Sequence, residues 1–323
     1  MKKAVKVSLI VAGAFILIGG AVFAAGMTML NWDFKRLSNV KYETNSFSVT
    51  ESFDNLSVKA YNDDVVFKLS DDNSCRVVCY EQQKIRHSVG VSNNTLEISV
   101  NDMRAWYEYI TLFSFDSPKT TIYLPKTAYR SLTVNFGTGE VVIPKDFAFD
   151  SIELSGATGN VNCCASSSGA TKIDLSTGNI RIDGASSGEL RLKTSTGAIN
   201  LNSVAVKGDL NAESSTGNMV FRDVTCGRLS SDASTGNIRL EGTVASQSFF
   251  IERSTGNVTF DGSDAVEITV KTSTGNVRGS LLSDKVFITD SSTGRIDVPK
   301  TVNGGKCEIT TSTGCIEISI KEK

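Results

Sequence analysis

Histidine is nearly missing from this sequence: His87 is the only one in 323 residues. A Ser-His-Asp or Cys-His catalytic arrangement would have to use it, and its neighbours Arg86 and Ser88 read as strand residues. Charge of either sign is not in excess, with Lys+Arg 33 against Asp+Glu 35. A basic field is therefore missing, and no nucleic-acid partner is expected. No glycine-rich phosphate loop and no zinc-ligand spacing occur; Cys75 and Cys79, four apart in a strand pattern, stand about 13 Å apart. Proline is scarce, at four residues, whereas Ser, Thr, Asn and Gly fill the gaps between short apolar pairs. That composition suits many short strands joined by tight turns.

One long apolar run is present. Lys2, Lys3 and Lys6 precede a stretch from Leu9 to Leu30 in which only Thr28 is distinctly polar. As a helix it would reach about 33 Å, enough for a hydrocarbon core of roughly 30 Å. Trp32 stands where an interfacial aromatic would anchor it, with Lys35 and Arg36 beyond. The alternative is a signal peptide cleaved after Ala21-Val22-Phe23-Ala24; the continuation of the run past that site favours the uncleaved anchor. Either way the rest of the chain is exported. Residues 1–8 are expected as a cytoplasmic tail, 9–30 as the transmembrane anchor and 31–50 as a linker, placing the bulk of the chain outside the cell membrane.

From Phe136 onward the chain restates one phrase, Ser-Thr-Gly-Asn followed by an alternating strand. The glycines are Gly139, Gly159, Gly178, Gly197, Gly217, Gly236, Gly256, Gly275, Gly294 and Gly314, at gaps of 19 or 20 residues. Two residues after each stands an apolar residue, from Val141 to Ile316, and four after it a second, such as Ile143 and Phe260. Seven and five before it run two further columns, Leu132 to Cys307 and Val134 to Ile309. Spacing by two gives a strand with one buried face, and the switch of parity across the glycine makes Thr-Gly a corner. Val204, Val224 and Leu282 suggest a third apolar contact in the second turn. The period is too short for helical repeats or propeller blades and fits one coil of a parallel β-helix. The expected fold is all-β: a single-stranded parallel β-solenoid of about ten or more coils over residues 131–323, behind one N-terminal helix. The corner residues read as hydrogen-bonded structure more than as a calcium or glycan site, because they offer neutral oxygens. Residues four before the glycine, such as Asp174, Lys193, Glu213 and Asp232, mix signs where a polysaccharide-active groove would gather acids and bases.

Residues 51–130 are β-rich but irregular. Leu56, Val58, Asn62-Asp63-Asp64, Val65 and Phe67 mimic one coil, and Asp63 lies 76 residues before Gly139, four times 19. An insertion holds Trp106, Tyr107, Tyr109, Phe113 and Phe115, which serve either as the cap a solenoid needs or as a partner surface. The seven cysteines do not pair by register: Cys163 and Cys307 fall in inward columns, Cys164 and Cys315 outward, and Cys226 matches none. Free thiols are expected.

The repeats, the opening Leu30-Asn-Trp-Asp-Phe34, Cys75-Arg-Val-Val-Cys79-Tyr-Glu81, Trp106-Tyr-Glu-Tyr-Ile110 and Leu281-Leu-Ser-Asp-Lys-Val-Phe-Ile288 together resemble the bacterial "putative adhesin" family of β-strand-repeat proteins, a domain of unknown function. The resemblance covers nearly the whole chain. It implies a single-pass envelope protein with a β-solenoid ectodomain, no catalytic motif, no cofactor and no metal. The expected function is a non-catalytic surface interaction module, with the membrane as one partner and an unknown protein or glycan at the cell surface as the other. Because some relatives are linked to envelope-stress signalling, a sensor or regulator of that kind is the alternative.

Overall fold

The computed structural model describes residues 3–34, 40–106 and 116–321. Among the described residues a single helix, Lys3–Met29, is long and apolar enough over Val5–Met29 to cross a membrane, and apart from Met27 the large apolar side chains of that span are exposed. Everything described after residue 40 builds a stack of strands.

The glycine corners explain the repeat. Nine of the ten have φ between 116° and 157°, which L side chains rarely adopt. Stacking is the second constraint. A Cβ on Gly178 would lie 1.7 Å from the Gly159 carbonyl oxygen, and along the column the same clash recurs at 1.7–2.1 Å. Each corner therefore sits on the backbone of the corner below it, and only glycine fits. Beside this column the asparagines form a ladder. Asn179 donates its backbone and side-chain N–H to Asn160 Oδ1, and Asn237, Asn257 and Asn276 repeat the pattern at 2.8–3.4 Å. The ladder breaks at Ala198, whose N–H still finds Asn179 Oδ1 at 2.9 Å. The asparagine side-chain oxygens are thus used in holding successive corners together.

Strands from successive coils pair in parallel, as in Ile173↔Leu192↔Ala212 on one face and Ile180↔Ile199↔Met219 on the other. Of the forty positions in the four apolar columns, all but five are buried. A further inward column runs through Phe147, Ala165, Ala185, Val204, Val224, Thr243 and Ser263. Leu282 is not part of it: Leu281 is buried instead, and Leu282 is exposed. Ser231, a polar member of an apolar column, accepts a 2.7 Å hydrogen bond from the buried Arg253 guanidinium, whose Nε is left without a hydrogen-bond partner.

Both ends depart from simple sequential stacking. At the start, Asn55–Ala60 and Asp64–Leu69 form a first coil directly beneath the Gly139 coil, with Leu56↔Leu132 and Val65↔Val141. The 76-residue offset is therefore one step of the stack, and the 19-residue multiple is fortuitous. The intervening chain turns back as a cap. Thr95–Asp102 lies parallel to Asn55–Ala60 and pairs with Ile85–Ser92 as an antiparallel hairpin. Lys119–Leu124 lies parallel to Asp64–Leu69, followed outward by Cys75–Gln82 and then Tyr42–Val49, each antiparallel to its neighbour. Leu96, Ile98, Val77, Ile122 and Leu124 close the apolar interior.

At the other end the last two coils exchange places. The later half of strand Val258–Thr274, from Ile268 on, pairs not with the coil next in sequence but with Gly305–Thr313, and Gly305–Thr313 in turn pairs with Lys285–Thr293. The glycines confirm it: Gly314 stacks on Gly275, and Gly294 stacks on Gly314. The C-terminal coil is thus sandwiched, and the coil before it is the end of the stack. This accounts for four of the five column positions that are not buried, Phe287, Thr289, Ile296 and Val298. The fifth is Gly279.

All seven cysteines are free, five of them buried and Cys164 and Cys315 half-buried. Burial pushes Cys75, Cys163, Cys226 and Cys307 up to about 12, so they remain unreactive thiols in the folded chain. Alkylation without reductant should label Cys164 and Cys315 before unfolding and all seven after it. Mass spectrometry finding two or more defined bridges would contradict this.

Candidate functional site

The inward side of strand Cys75–Gln82 carries Cys75, Val77, Cys79 and Glu81, so a carboxylate continues an apolar parity. The next strand, Ile85–Ser92, turns His87 inward. The corner of the first coil supplies Asp63, and Lys119–Leu124 supplies Thr120. These four segments meet where the cap sits on the stack. His87 Nδ1 is 2.5 Å from Glu81 Oε2, and the His87 backbone N–H donates to the same oxygen at 2.6 Å. On the other side Nε2 lies 3.2 Å from Asp63 Oδ2 and 3.1 Å from Thr120 Oγ1, while the Thr120 hydroxyl donates to Asp63 Oδ2 at 2.6 Å. Asn45 donates to Glu81 Oε1 at 2.6 Å.

The side chains of His87 and Asp63 are each 3% exposed. Burial by itself disfavours an imidazolium, but the hydrogen bonds and charges of Asp63 and Cys79 outweigh it, and the His87 pKa is pushed up to about 11. Burial likewise opposes ionised Asp63, yet the bond to His87 and the Thr120 hydroxyl hold it below the usual carboxylate value. The group is a charged, hydrogen-bonded rivet between cap and first coil. Cys79 and His87 do not make a catalytic pair for an external substrate, since the Cys79 side chain has no exposure. Cys79, Glu81 and His87 do place one potential metal-ligating atom each within 4.8 Å of one another.

A second polar cluster lies near the opposite end. Lys285 Nζ contacts Asp264 Oδ1 at 2.7 Å and donates to Ser283 Oγ at 2.6 Å, and the Ser283 hydroxyl donates to Asp264 Oδ2 at 2.5 Å. It borders a surface cavity of about 520 Å³. The Lys285 ammonium donates to the Ser283 hydroxyl and also pairs with Asp264, while the hydroxyl gives its own hydrogen to the Asp264 carboxylate, so the three groups form a closed hydrogen-bonded cluster. Lys285, in register with Gly305 of the adjoining coil, is itself buried.

The end coil itself presents a different kind of surface. Among the described residues, Lys285–Thr293 and Ile296–Asp297 each pair on one side only. Val286, Ile288 and Ile296 are 36%, 52% and 41% exposed, and Val302 beside them is 86% exposed. Free backbone groups are flanked here by branched apolar side chains.

Of the aromatic residues singled out in the sequence, Trp106 is exposed at 82%. Tyr107, Tyr109, Phe113 and Phe115 lie outside the described residues. Sequence reasoning found His87 but not its partners, because Asp63 and Thr120 reach it only through the cap's return onto the first coil. The parity of Glu81 was the one local signal. The outward charges do form the mixed ladders expected, for example Lys172–Glu153 at 2.9 Å and Lys193–Glu213 at 3.8 Å.

No curated protein matches the sequence. Among solved structures, a putative adhesin from Bacteroides fragilis is similar at 14% identity, covering 86% of this chain and 97% of its own, with a TM-score of 0.42. A putative lipid binding protein from Parabacteroides distasonis has 16% identity, coverage of 87% and 98%, and a TM-score of 0.47. A putative adhesin from Parabacteroides merdae has 10% identity, coverage of 87% and 97%, and a TM-score of 0.46. The Toastrack DUF4097 family model matches residues 53–214 and 207–323, and the chain belongs to that family.

Proposed function

We propose that the protein is a non-catalytic surface interaction module, held in the membrane by helix Lys3–Met29, with its solenoid outside the cytoplasm and its free stack end as the contact surface. The observation that carries this reading is the asymmetry of the two ends. The end nearest the helix in sequence is closed by the cap, whose outermost strand begins at Tyr42. The thirteen steps from Met29 to Tyr42 span at most about 45 Å, which keeps the cap near the bilayer. Stacked at about 4.8 Å per coil, the opposite end stands some 50 Å away along the rod. There the edge strand carries one exposed charge, Asp290, and only its Lys285 carbonyl is taken up, by the Thr301 hydroxyl, although an exposed apolar edge is what soluble β proteins avoid. An unpaired strand is completed by another strand, so the occupant favoured is an extended polypeptide segment of a surface partner, with Val286 and Ile288 giving selectivity. The segment around Trp106, Tyr107, Tyr109, Phe113 and Phe115 is a second candidate contact.

A photo-crosslinking residue placed at Ile288, at Trp106 and at Asn237 in intact cells tests this. A protein adduct from position 288, with none from 237 on the asparagine face, is the expected result. Adducts from 237 but not 288 would overturn the edge reading, and a polysaccharide adduct would replace the polypeptide by a glycan. Capture of a membrane signalling protein would support the envelope-stress regulator instead.

A further inference from the structure

The junction between cap and stack contains more than a rivet needs. A salt-bridged histidine requires two acceptors, and Glu81 and Asp63 supply them. Yet a thiol is also brought to this point. Cys79 Sγ, a Glu81 carboxylate oxygen and a His87 ring nitrogen lie within 4.8 Å of one another, all three residues buried. Sulfur, oxygen and imidazole nitrogen together form a donor set for zinc and similar borderline-soft divalent cations, and a poor one for calcium or magnesium.

We propose that Cys79, Glu81 and His87 bind one divalent cation of the zinc type, clamping the cap onto the first coil. Nδ1, the ring nitrogen that faces Glu81, is the ligand atom. The opposite nitrogen is held by Asp63 and Thr120, as the carboxylate partner of a metal-bound imidazole is in known sites. Metal–ligand distances of about 2.0–2.3 Å put neighbouring ligand atoms roughly 3.3–3.6 Å apart. The ion would therefore widen the 2.5 Å contact between Nδ1 and Glu81 Oε2 by about 0.8 Å, taking the place of the proton now shared there. A cavity of about 40 Å³ bordered by Glu81, His87, Asp63 and Arg104 leaves room for one water as the fourth ligand. Binding releases the thiol proton of Cys79 and the Nδ1 proton of His87 to solvent. The ion would tie strands Cys75–Gln82 and Ile85–Ser92 to each other, and through the Asp63–His87 bond to the first coil.

Cobalt(II) tests the site, because a thiolate ligand gives it a charge-transfer absorption that oxygen and nitrogen ligands do not. The full-length protein in detergent, reduced and metal-free, should take up one Co²⁺ per chain with that band, and Zn²⁺ should displace it. Cys79→Ser should abolish the band, while Cys75→Ser, on the same strand face, should keep it. His87→Gln should weaken binding at least tenfold, and Asp63→Asn by roughly 10–100-fold. A missing band, or one that survives Cys79→Ser, overturns the proposal. Should Cys79→Ser fail to fold, amide exchange of the wild type decides. Zn²⁺ must slow exchange across residues 75–92 and leave residues 170–260 unchanged; equal exchange with and without Zn²⁺ also overturns it.

Discussion

Replacing Ile309 with aspartate is expected to release two coils, not one. Ile309 has no exposure and packs in the coil sandwiched between Val258–Thr274 and Lys285–Thr293. A buried carboxylate without a partner costs several kcal/mol, about 3–5 where the structure cannot relax around it. In a solenoid each coil contacts only its neighbours, so losing a sandwiched coil removes two interfaces. Hydrogen exchange should therefore lose protection over both 305–320 and 285–298. Protection lost from 305–320 alone would mean that the coils stack in sequence order, with the C-terminus at the end.

The second large effect concerns the glycine column. Gly178→Ala places a Cβ 1.7 Å from the Gly159 carbonyl at a φ of 143°. Overpacking a closed site costs about 1–3 kcal/mol and the left-handed backbone a similar amount, so a loss of about 3 kcal/mol or more is expected. Gly90→Ala is the control, because nothing lies within 4 Å of its Cβ and its φ is ordinary. Its effect should stay within about 0.5 kcal/mol. Urea unfolding midpoints of the two variants in detergent measure the difference; equal midpoints would contradict the stacked-corner geometry.

The coil itself was legible because two independent constraints recur in the same phrase. Glycine is needed twice over at the corner, by φ and by the carbonyl of the corner below it, so the period survives in the sequence. The inward columns then follow from strand parity, and the structure departs from them chiefly where a coil has no neighbour on one side, as at Ile296. Stacking order was not legible. Every coil presents the same register of apolar residues and glycines, so the phrase at Gly314 fits on Gly275 as well as the phrase at Gly294 does. Only the three-dimensional path of residues 299–304 distinguishes them, and no periodic signal encodes it. The outward charges show the consequence. Lys271 and Asp290 look like neighbours in a ladder, but Thr310 lies between them.

The junction at His87 was hidden for a related reason. Asp63, Glu81, His87 and Thr120 come from a coil corner and three strands of different polarity, so no fixed spacing connects them. Each carries a bland local reading of its own. Asp63 stands in place of Thr-Gly at a turn, and Thr120 is one threonine among many. Their association depends on the cap folding back over the first coil, a tertiary event.

The account rests most heavily on which strand ends the stack, since the proposed contact surface is that edge. Paired cysteine substitutions at exposed threonines read the order directly. In the structure Thr274 is in register with Thr313, and Thr313 with Thr293. Thr274→Cys with Thr313→Cys, and Thr293→Cys with Thr313→Cys, should each form a disulfide under mild oxidation, since adjacent coils bring Cα atoms within about 5 Å. Thr274→Cys with Thr293→Cys should not, being two coils or about 10 Å apart. Efficient bonding of the 274 and 293 pair, with none between 293 and 313 beyond background, would place the C-terminal coil elsewhere and remove the free edge at Lys285–Thr293.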